Sequence, residues 1–145
     1  MSREYPRYPV LAVSASLLNS NRLLMVQRAH PPAQGQWALP GGVVQLGETP
    51  EQALRRELME ECRLPVEIHR LNHIASRLFL DSEGRIQYHY IIINYLCRAA
   101  TAAVQSGSDA MVCRWIDRSK LDEINLAEGV IETIRIALKN SGRQP

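Results

Sequence analysis

This sequence has little excess charge, no long hydrophobic run and no secretory leader pattern, and each shortage excludes a class of function. Seventeen basic residues against fifteen acidic ones leave a net charge of +2, without the Lys/Arg runs typical of duplex nucleic-acid binders. No apolar segment approaches the roughly 20 residues that span a bilayer. The N-terminus also lacks the apolar stretch of a signal peptide. We therefore expect a cytoplasmic protein with neither a nucleic-acid nor a membrane partner.

Cysteine is also scarce. Cys62, Cys97 and Cys113 are odd in number, widely spaced and set in apolar surroundings. This pattern is more typical of buried, reduced thiols than of a disulfide framework or a set of metal ligands. We expect all three to be reduced.

The chain of 145 residues is long enough for one domain with its own core. Turn signals divide it into segments with strand or helix composition. The predicted strands are residues 10–18, 22–28, 66–80, 85–97 and 110–117, and a short helical piece is predicted at 119–124. Residues 90–95 are apolar on both faces, as expected for a central strand covered by helices on each side.

Two longer helices complete the pattern. The first begins with Thr49 as N-cap, Pro50 at the first helical position and Gln52 closing a capping box. Its apolar stripe should face the core and consists of Leu54, Leu58 and Cys62. The last helix is expected to be capped by Asn125, with Glu128 as capping partner, and its apolar positions are Val130, Ile131, Ile134, Ala137 and Leu138. This order of elements fits an α/β fold, a three-layer α/β/α sandwich on a mixed β-sheet.

The first helix carries an unusual acidic face. Glu57, Glu60 and Glu61 lie within an arc of about 100°, and Glu57 and Glu61 are one turn apart. A solvated surface is the common explanation for such a helix. Three features favour a metal site instead: Arg56 lies inside the cluster, the cluster borders the apolar stripe, and the loop Gly41-Gly42 precedes the helix. Hard cations such as Mg²⁺ prefer oxygen ligands of this kind.

The same segment resembles the Nudix box, G-x5-E-x7-R-E-U-x-E-E-x-G-U, in which U is aliphatic. Eight of the nine specified positions match, and they are Gly42, Glu48, Arg56, Glu57, Leu58, Glu60, Glu61 and Leu64. The resemblance implies a single Nudix domain over residues 1–145 and a hydrolase that uses water to cleave a nucleoside diphosphate linked to another moiety. It also implies Mg²⁺ as cofactor, with Mn²⁺ as a substitute, and a small-molecule nucleotide as partner; a homodimer is compatible with it.

Residue roles follow from the resemblance position by position. Glu57 and Glu61 would be the primary metal ligands and Glu60 a third, with the Gly42 carbonyl as a backbone ligand. Arg56 would orient the carboxylates, and Glu48 would support the cluster. The family has both helix-borne and distal general bases. Here the helix candidates are Glu57 and Glu60, and the distal candidate is Asp109, for which capping a turn is an equal alternative.

The single departure from the box is Arg63, which stands where the pattern has glycine. That glycine would normally end the helix in the left-handed conformation. We expect Arg63 to adopt the same positive φ. The alternative is ordinary helical geometry, with the arginine side chain near the last carbonyl groups.

Three residues outside the box are candidates for substrate binding, each with a structural alternative. Trp37 could stack on a base, but packing is the more common role. His89 could line a pocket, although a lone strand histidine is more often a satisfied core or rim residue. Arg28 could meet a phosphate or simply be an exposed strand-end arginine.

The substrate signals are weaker than the box. The segment 77–80 lacks the proline that often follows the box in ADP-ribose-cleaving members, and Asp81-Ser82 lacks the tyrosine of many dinucleoside-polyphosphate members. The coenzyme A signature is missing too. The frame of residues 23–42, the Gly84-Arg85 hairpin and the Ser-Asp-Ala loop look most like bacterial ADP-ribose pyrophosphatase-like enzymes, which favours ADP-ribose or a similar nucleotide sugar. The alternatives are an ordinary or oxidised nucleoside triphosphate, and a non-catalytic Nudix-like nucleotide-binding module.

Overall fold

The computed structural model describes residues 3–106 and 112–141. These residues form one sheet, two α-helices and a short 3-10 helix at Arg118–Glu123. The strands are β1 Val10–Asn19, β2 Arg22–Gln27, β3 Trp37–Ala38, β4 Gly41–Val43, β5 Val66–Leu80, β6 Ile86–Ala99 and β7 Val112–Asp117. The helices are α1 Pro50–Cys62 and α2 Val130–Ser141.

The sheet is mixed, as the sequence predicted. Its main path runs β3-β2-β1-β6-β5, with β4 paired to β1 and β7 paired to β2. The pairing of β1 with β6 is parallel, and the other pairings are antiparallel. The expected central strand lies inside β6, between β1 and β5. The first half of β1 pairs with β4, which fixes the Gly-Gly loop against the middle of the sheet.

Helices cover both faces of this sheet, which confirms the three layers. Successive residues of β2 point to opposite faces. Leu24 and Val26 pack in the cluster that contains the apolar stripe of α1, whereas Leu23 and Met25 pack in the cluster that contains Ile134 of α2. A strand that is buried on both sides therefore separates two apolar cores.

The start of α1 also follows the prediction. The Thr49 hydroxyl accepts a hydrogen bond from the Gln52 N–H at 3.1 Å, and the Gln52 side chain accepts one from the Thr49 N–H at 2.9 Å. Leu54, Leu58 and Cys62 are fully buried. The capping box and the apolar stripe thus fix which way the acidic face of the helix points.

The expected start of the last helix is wrong. The helix α2 begins at Val130, after Gly129 at φ +79°, and Asn125 does not cap it. Instead, the Trp37 N–H donates to the Asn125 carbonyl at 2.8 Å, and the Ala127 N–H donates to the Trp37 carbonyl at 2.9 Å. This pairing with β3 holds the chain extended and releases Glu128 from the capping role.

The expectation of three reduced thiols is also wrong. Cys62, at the end of α1, is joined by a disulfide to Cys113 of β7. Both lie in the apolar core, as predicted, but β7 brings Cys113 beside the helix end, a contact between residues 51 positions apart that no local pattern indicates. Cys97 is a buried free thiol, and burial raises its pKa to about 12.

Arg63 confirms the expected helix ending. It adopts φ 52° and ψ 37°, the left-handed conformation, and its N–H donates to the Met59 carbonyl at 3.1 Å. An L-residue with a Cβ is strained in this conformation by about 1–2 kcal/mol. The next residue, Leu64, is fully buried, and its N–H donates to the Leu58 carbonyl at 3.3 Å.

Arg63→Gly should therefore raise the free energy of unfolding by about 0.5–1 kcal/mol, less than the strain because glycine also gives the unfolded chain more freedom. Urea denaturation should show a higher midpoint with an unchanged slope. Met59→Gly, on the exposed side of the same helix, is the matched control and should lower the midpoint. A lower midpoint for Arg63→Gly would contradict the strain.

The disulfide should stabilise the fold chiefly by restricting the unfolded chain. For a loop of this length the chain-entropy relation gives about 4 kcal/mol. Unfolding in urea with and without a thiol reductant should show a lower midpoint under reduction, and Cys62→Ala/Cys113→Ala should remove that difference. Cys97→Ala, the control, should keep it. Equal midpoints for the native protein in both conditions would show that the two sulfurs are not bonded in solution.

Candidate active site

The acidic face of α1 lies against the Gly-Gly loop. The Gly41 N–H donates to Glu61 Oε1 at 2.8 Å, which ties the helix to the first residue of β4. The Ala15 N–H donates to the Pro40 carbonyl at 2.9 Å, so the loop is also bound to β1. A Cβ at Gly41 would overlap the backbone of Val13. Only glycine permits this close approach of loop, strand and helix.

Glu61 is the most buried carboxylate of the site, with 8% of its surface exposed. Burial, together with the charge of Glu57, raises its pKa to about 8, although the hydrogen bond from the Gly41 N–H acts in the opposite direction. In residues 3–106 and 112–141, no Arg or Lys forms an ion pair with it. A buried carboxylate without a neutralising partner is a site that a cation would stabilise.

Glu57 lies beside it, pressed against the backbone of Gly42. A Cβ at Gly42 would overlap the Glu57 carboxylate, so the absence of a side chain there makes room for the acid. Burial raises the pKa of Glu57, and the hydrogen bond from Arg56 partly offsets that effect. The predicted pair Glu57 and Glu61 is thus brought together beside the Gly41-Gly42 loop.

Arg56 binds the rest of the acidic face. Its Nε and Nη2 donate to the two oxygens of Glu48 at 2.7 and 2.8 Å, a bidentate pair. Its Nη2 also donates to the Val43 carbonyl at 3.0 Å, and its Nη1 donates to Glu57 at 2.8 Å and to Glu60 at 3.3 Å. One guanidinium therefore connects the loop after β4 to two carboxylates of α1.

Glu48 and Glu60 differ in their surroundings. The hydrogen bonds from Arg56, followed by that from the Gln45 N–H, lower the pKa of Glu48 to about 2, so it remains ionised as a permanent partner of the arginine. The Glu60 side chain is 54% exposed and makes one long contact with Arg56. Glu48 is therefore a supporting residue, and Glu60 is free to turn toward a ligand at the rim.

These residues fit a divalent cation that is only partly held by protein. Within residues 3–106 and 112–141, no three His, Cys, Asp or Glu side chains are gathered into a closed metal site. Mg²⁺ commonly uses one or two carboxylates and completes its shell with waters and substrate phosphates. The buried and unneutralised Glu61, with Glu57 one turn away, matches that open arrangement.

A cleft extends from the Gly41-Gly42 loop across the sheet. Its volume, counted out into open solvent, is about 890 Å³. Its wall is largely apolar and includes Phe79, Tyr90 and Ile92, and Arg28 lines the same space. The Arg28 Nε donates to the Pro32 carbonyl at 2.6 Å, and burial lowers the pKa of this guanidinium. The predicted phosphate-binding arginine is thus part of the cleft.

The other candidates lie elsewhere. Trp37 packs in the apolar cluster beneath α2 and is not among the cleft-lining residues, which agrees with its packing alternative. His89 also lies outside the cleft, and its Nε2 is 3.4 Å from the Ser76 hydroxyl. Its neighbour Tyr90 lines the cleft because adjacent strand residues point to opposite faces. Asp109 falls outside the described residues.

Sequence reasoning missed three charged residues of the cleft, Arg3, Arg77 and Glu128. Arg77 of β5 donates to the Gly129 carbonyl at 2.8 Å, so the β5–α2 packing places it there. No spacing rule identifies such a residue. Glu128 carried a signal, but the signal was interpreted as helix capping.

Comparisons with known proteins agree with this geometry. The profile described as NUDIX domain matches residues 8–135. An ADP-ribose pyrophosphatase from Methanocaldococcus jannaschii is 31% identical over 81% of this chain and 67% of its own length. The nucleoside triphosphatase NudI from Enterobacter sp. (strain 638) is 33% identical over 65% of this chain and 70% of its own. The crystal structure of a MutT NUDIX hydrolase from Burkholderia pseudomallei superposes with a TM-score of 0.69, at 26% identity and covering 92% of this chain and 98% of that one.

The part of the chain that the structure describes contains no helix both long and apolar enough to cross a membrane.

Replacing Arg56 tests whether the planar, bidentate geometry of its guanidinium group holds the carboxylates in position. Arg56→Lys keeps the charge but cannot bind Glu48 bidentately while reaching Val43 and Glu57. We expect turnover of a nucleotide substrate to fall at least about tenfold, since a small displacement of catalytic groups has effects of this size. Arg55→Lys, its exposed neighbour, is the matched control and should retain full activity. Native turnover in Arg56→Lys would show that the bidentate contact is dispensable.

Proposed function

Because this chain belongs to the NUDIX domain family, we propose that it is a metal-dependent pyrophosphohydrolase that cleaves ADP-ribose or a similar nucleoside-diphosphate sugar. The observation that carries the proposal is the pair Glu57 and Glu61 beside the Gly41-Gly42 loop, which lines an apolar cleft that also contains arginine. The 31% identity to an ADP-ribose pyrophosphatase over 117 residues supports this substrate class.

The proposed reaction is a hydrolysis at the diphosphate. The oxygen of water attacks one phosphorus atom, the bond from that phosphorus to the bridging oxygen breaks, and the proton of water passes to a base. With ADP-ribose the products are AMP and ribose 5-phosphate. A diphosphate bound beside Glu57 and Glu61 would bring three kinds of charged group together: carboxylates, phosphates and the arginines of the cleft.

The residues that would hold Mg²⁺, or Mn²⁺ in its place, are Glu57, Glu61 and Glu60, together with the Gly42 carbonyl. The ion would supply Lewis-acid neutralisation of the phosphate oxygens and acidify the attacking water. Arg56 orients Glu57 through the 2.8 Å contact, and Glu48 holds Arg56 in turn. Arg28, which lines the cleft, is suited to bind a phosphate oxygen.

The proton acceptor has two kinds of candidate. Glu60 is exposed at the rim and bound only loosely to Arg56, so it can approach a water, and Glu57 is the helix-borne alternative. Asp109 is the distal candidate from the sequence. Turnover of Asp109→Asn decides between the two kinds, because the loss of the true base lowers kcat by about 10²–10⁴-fold, whereas near-native turnover in this variant assigns the base to the helix.

A nucleoside triphosphate, ordinary or oxidised, is the second candidate substrate, favoured by the 33% identity to a nucleoside triphosphatase. A non-catalytic binding module is disfavoured, because all four box carboxylates are present and three of them are bonded to Arg56. A small-molecule nucleotide partner and a cytoplasmic location complete the proposal.

A substrate panel tests the proposal. Purified protein should be incubated with Mg²⁺ and ADP-ribose, other nucleotide sugars, or nucleoside triphosphates with and without base oxidation, and the products identified by mass. The proposal expects the highest kcat/KM with ADP-ribose or another nucleotide sugar, yielding a nucleoside monophosphate and a sugar phosphate. Pyrophosphate released from a triphosphate as the preferred reaction would replace the first substrate class by the second.

Removing one metal-ligand charge should abolish turnover but leave the fold intact. In Glu57→Gln and Glu61→Gln we expect kcat to fall by orders of magnitude under saturating Mg²⁺. The melting temperature of Glu61→Gln should be equal or higher, because a buried charge and a like-charge repulsion are removed. Glu67→Gln, on the exposed edge of β5, is the control. Near-native kcat in both variants would overturn the metal assignment, as would native activity in excess EDTA.

A further inference from the structure

The segment before β1 is fastened to the turn between β5 and β6. The Tyr5 hydroxyl donates to Asp81 Oδ2 at 2.9 Å, and the Tyr5 N–H donates to the Gln87 carbonyl at 2.8 Å. The Arg85 guanidinium lies 5.2 Å from the centre of the Tyr5 ring and also donates to Asp81 at 2.9 Å. We name these residues, Tyr5, Asp81, Arg85 and Gln87, the Tyr5 clamp.

The anchor of the clamp is rigid. Asp81 also accepts hydrogen bonds from the backbone N–H groups of Glu83 and Arg85, both at 2.9 Å, and these contacts close the hairpin turn. The backbone hydrogen bond from Arg85, with the other donors around it, lowers the pKa of Asp81 to about 2. Asp81 therefore stays ionised at physiological pH. Because the hairpin turn already holds the Asp81 side chain in place, its hydrogen bond with Tyr5 fixes the position of Tyr5.

Two residues before Tyr5, Arg3 reaches the cleft. It lines the same space as Arg28 and the Gly41-Gly42 loop. Neither Arg3 nor Arg28 forms an ion pair with a carboxylate of the described residues. Two like charges that share a cleft repel each other unless an anion joins them. Guanidinium groups bind phosphate oxygens through charge-assisted, often bidentate hydrogen bonds.

We propose that Arg3, held over the cleft by the Tyr5 clamp, is a substrate-binding residue that contacts the phosphates of a nucleoside diphosphate together with Arg28. This inference rests on the proposed function for the identity of the ligand. Arg3 touches the substrate, whereas Tyr5 acts through Arg3 and is a positioning residue.

Equilibrium binding tests the contact without relying on hydrolysis. Native protein, Arg3→Ala, Arg3→Lys and the control Arg7→Ala should be titrated calorimetrically with ADP and with adenosine. We expect Arg3→Ala to weaken ADP binding by about 10- to 100-fold, as for a lost hydrogen bond between charged groups. Adenosine binding should not change. Arg3→Lys should recover part of the affinity, and Arg7→Ala, an exposed arginine of the same segment, should bind ADP as the native protein does.

The positioning role of Tyr5 is tested by a double-mutant cycle. Tyr5→Ala should weaken ADP binding by itself but add little in the Arg3→Ala background, because both changes remove the same contact. A purely structural effect of Tyr5 would weaken binding equally in both backgrounds and would refute the positioning role.

The outcomes separate this inference from the proposed function. Hydrolysis of a nucleotide sugar with ADP binding unchanged in Arg3→Ala overturns the inference and leaves the function standing. Arg3-dependent ADP binding without hydrolysis of any panel substrate supports the inference and overturns the function. Native protein that does not bind ADP overturns the inference.

Discussion

The ion pair between Arg56 and Glu48 is the contact on which the arrangement of the site depends. Glu57, Glu60 and Glu61 crowd one side of a helix, and carboxylates at one-turn spacing repel each other. Arg56 lies among them, bound bidentately by Glu48, and donates to two of the three. Its additional bond to the Val43 carbonyl joins the end of β4 to α1. The same guanidinium therefore neutralises part of the acidic face, at Glu57 and Glu60, and ties α1 to the strand that begins with the Gly-Gly loop.

Glu48 and Glu61 differ in burial, and this difference gives the two carboxylates different roles. Glu48 is ionised beside an arginine, whereas Glu61 is buried with a pKa raised to about 8 and only the Gly41 N–H as its hydrogen-bond donor among the described residues. A bound cation would offset the free-energy cost of ionising the buried Glu61 carboxyl, since a cation favours the charged form of the carboxylate. The fold and the site therefore both depend on Gly41 and Gly42. A side chain at Gly41 would overlap β1, and a side chain at Gly42 would overlap Glu57.

Features encoded by neighbouring residues were predictable. The capping box at Thr49, the apolar stripe of α1, the left-handed Arg63 and the Arg56 cluster all follow from spacings within one helix and its flanks. Features that join distant segments were not. The Cys62–Cys113 disulfide depends on where β7 lies, the start of α2 depends on the pairing of 125–127 with Trp37, and Arg3 reaches the cleft because a turn more than 70 residues away binds Tyr5. Local pattern carries no information about such contacts. For Trp37 and His89 it favoured a packing or rim role over substrate binding, and both residues lie outside the cleft lining.

Direct metal binding is the measurement closest to the central claim that Glu57 and Glu61 form an open cation site. Mn²⁺ can be titrated into the protein in the presence of AMP and the free ion counted by electron paramagnetic resonance. The account predicts saturable binding to the native protein, displaced by Mg²⁺, and at least about tenfold weaker in the double variant Glu57→Gln/Glu61→Gln, since the loss of even a residue that supports a ligand costs about 10–100-fold in metal affinity. Equal Mn²⁺ affinity in the native protein and the double variant would contradict it.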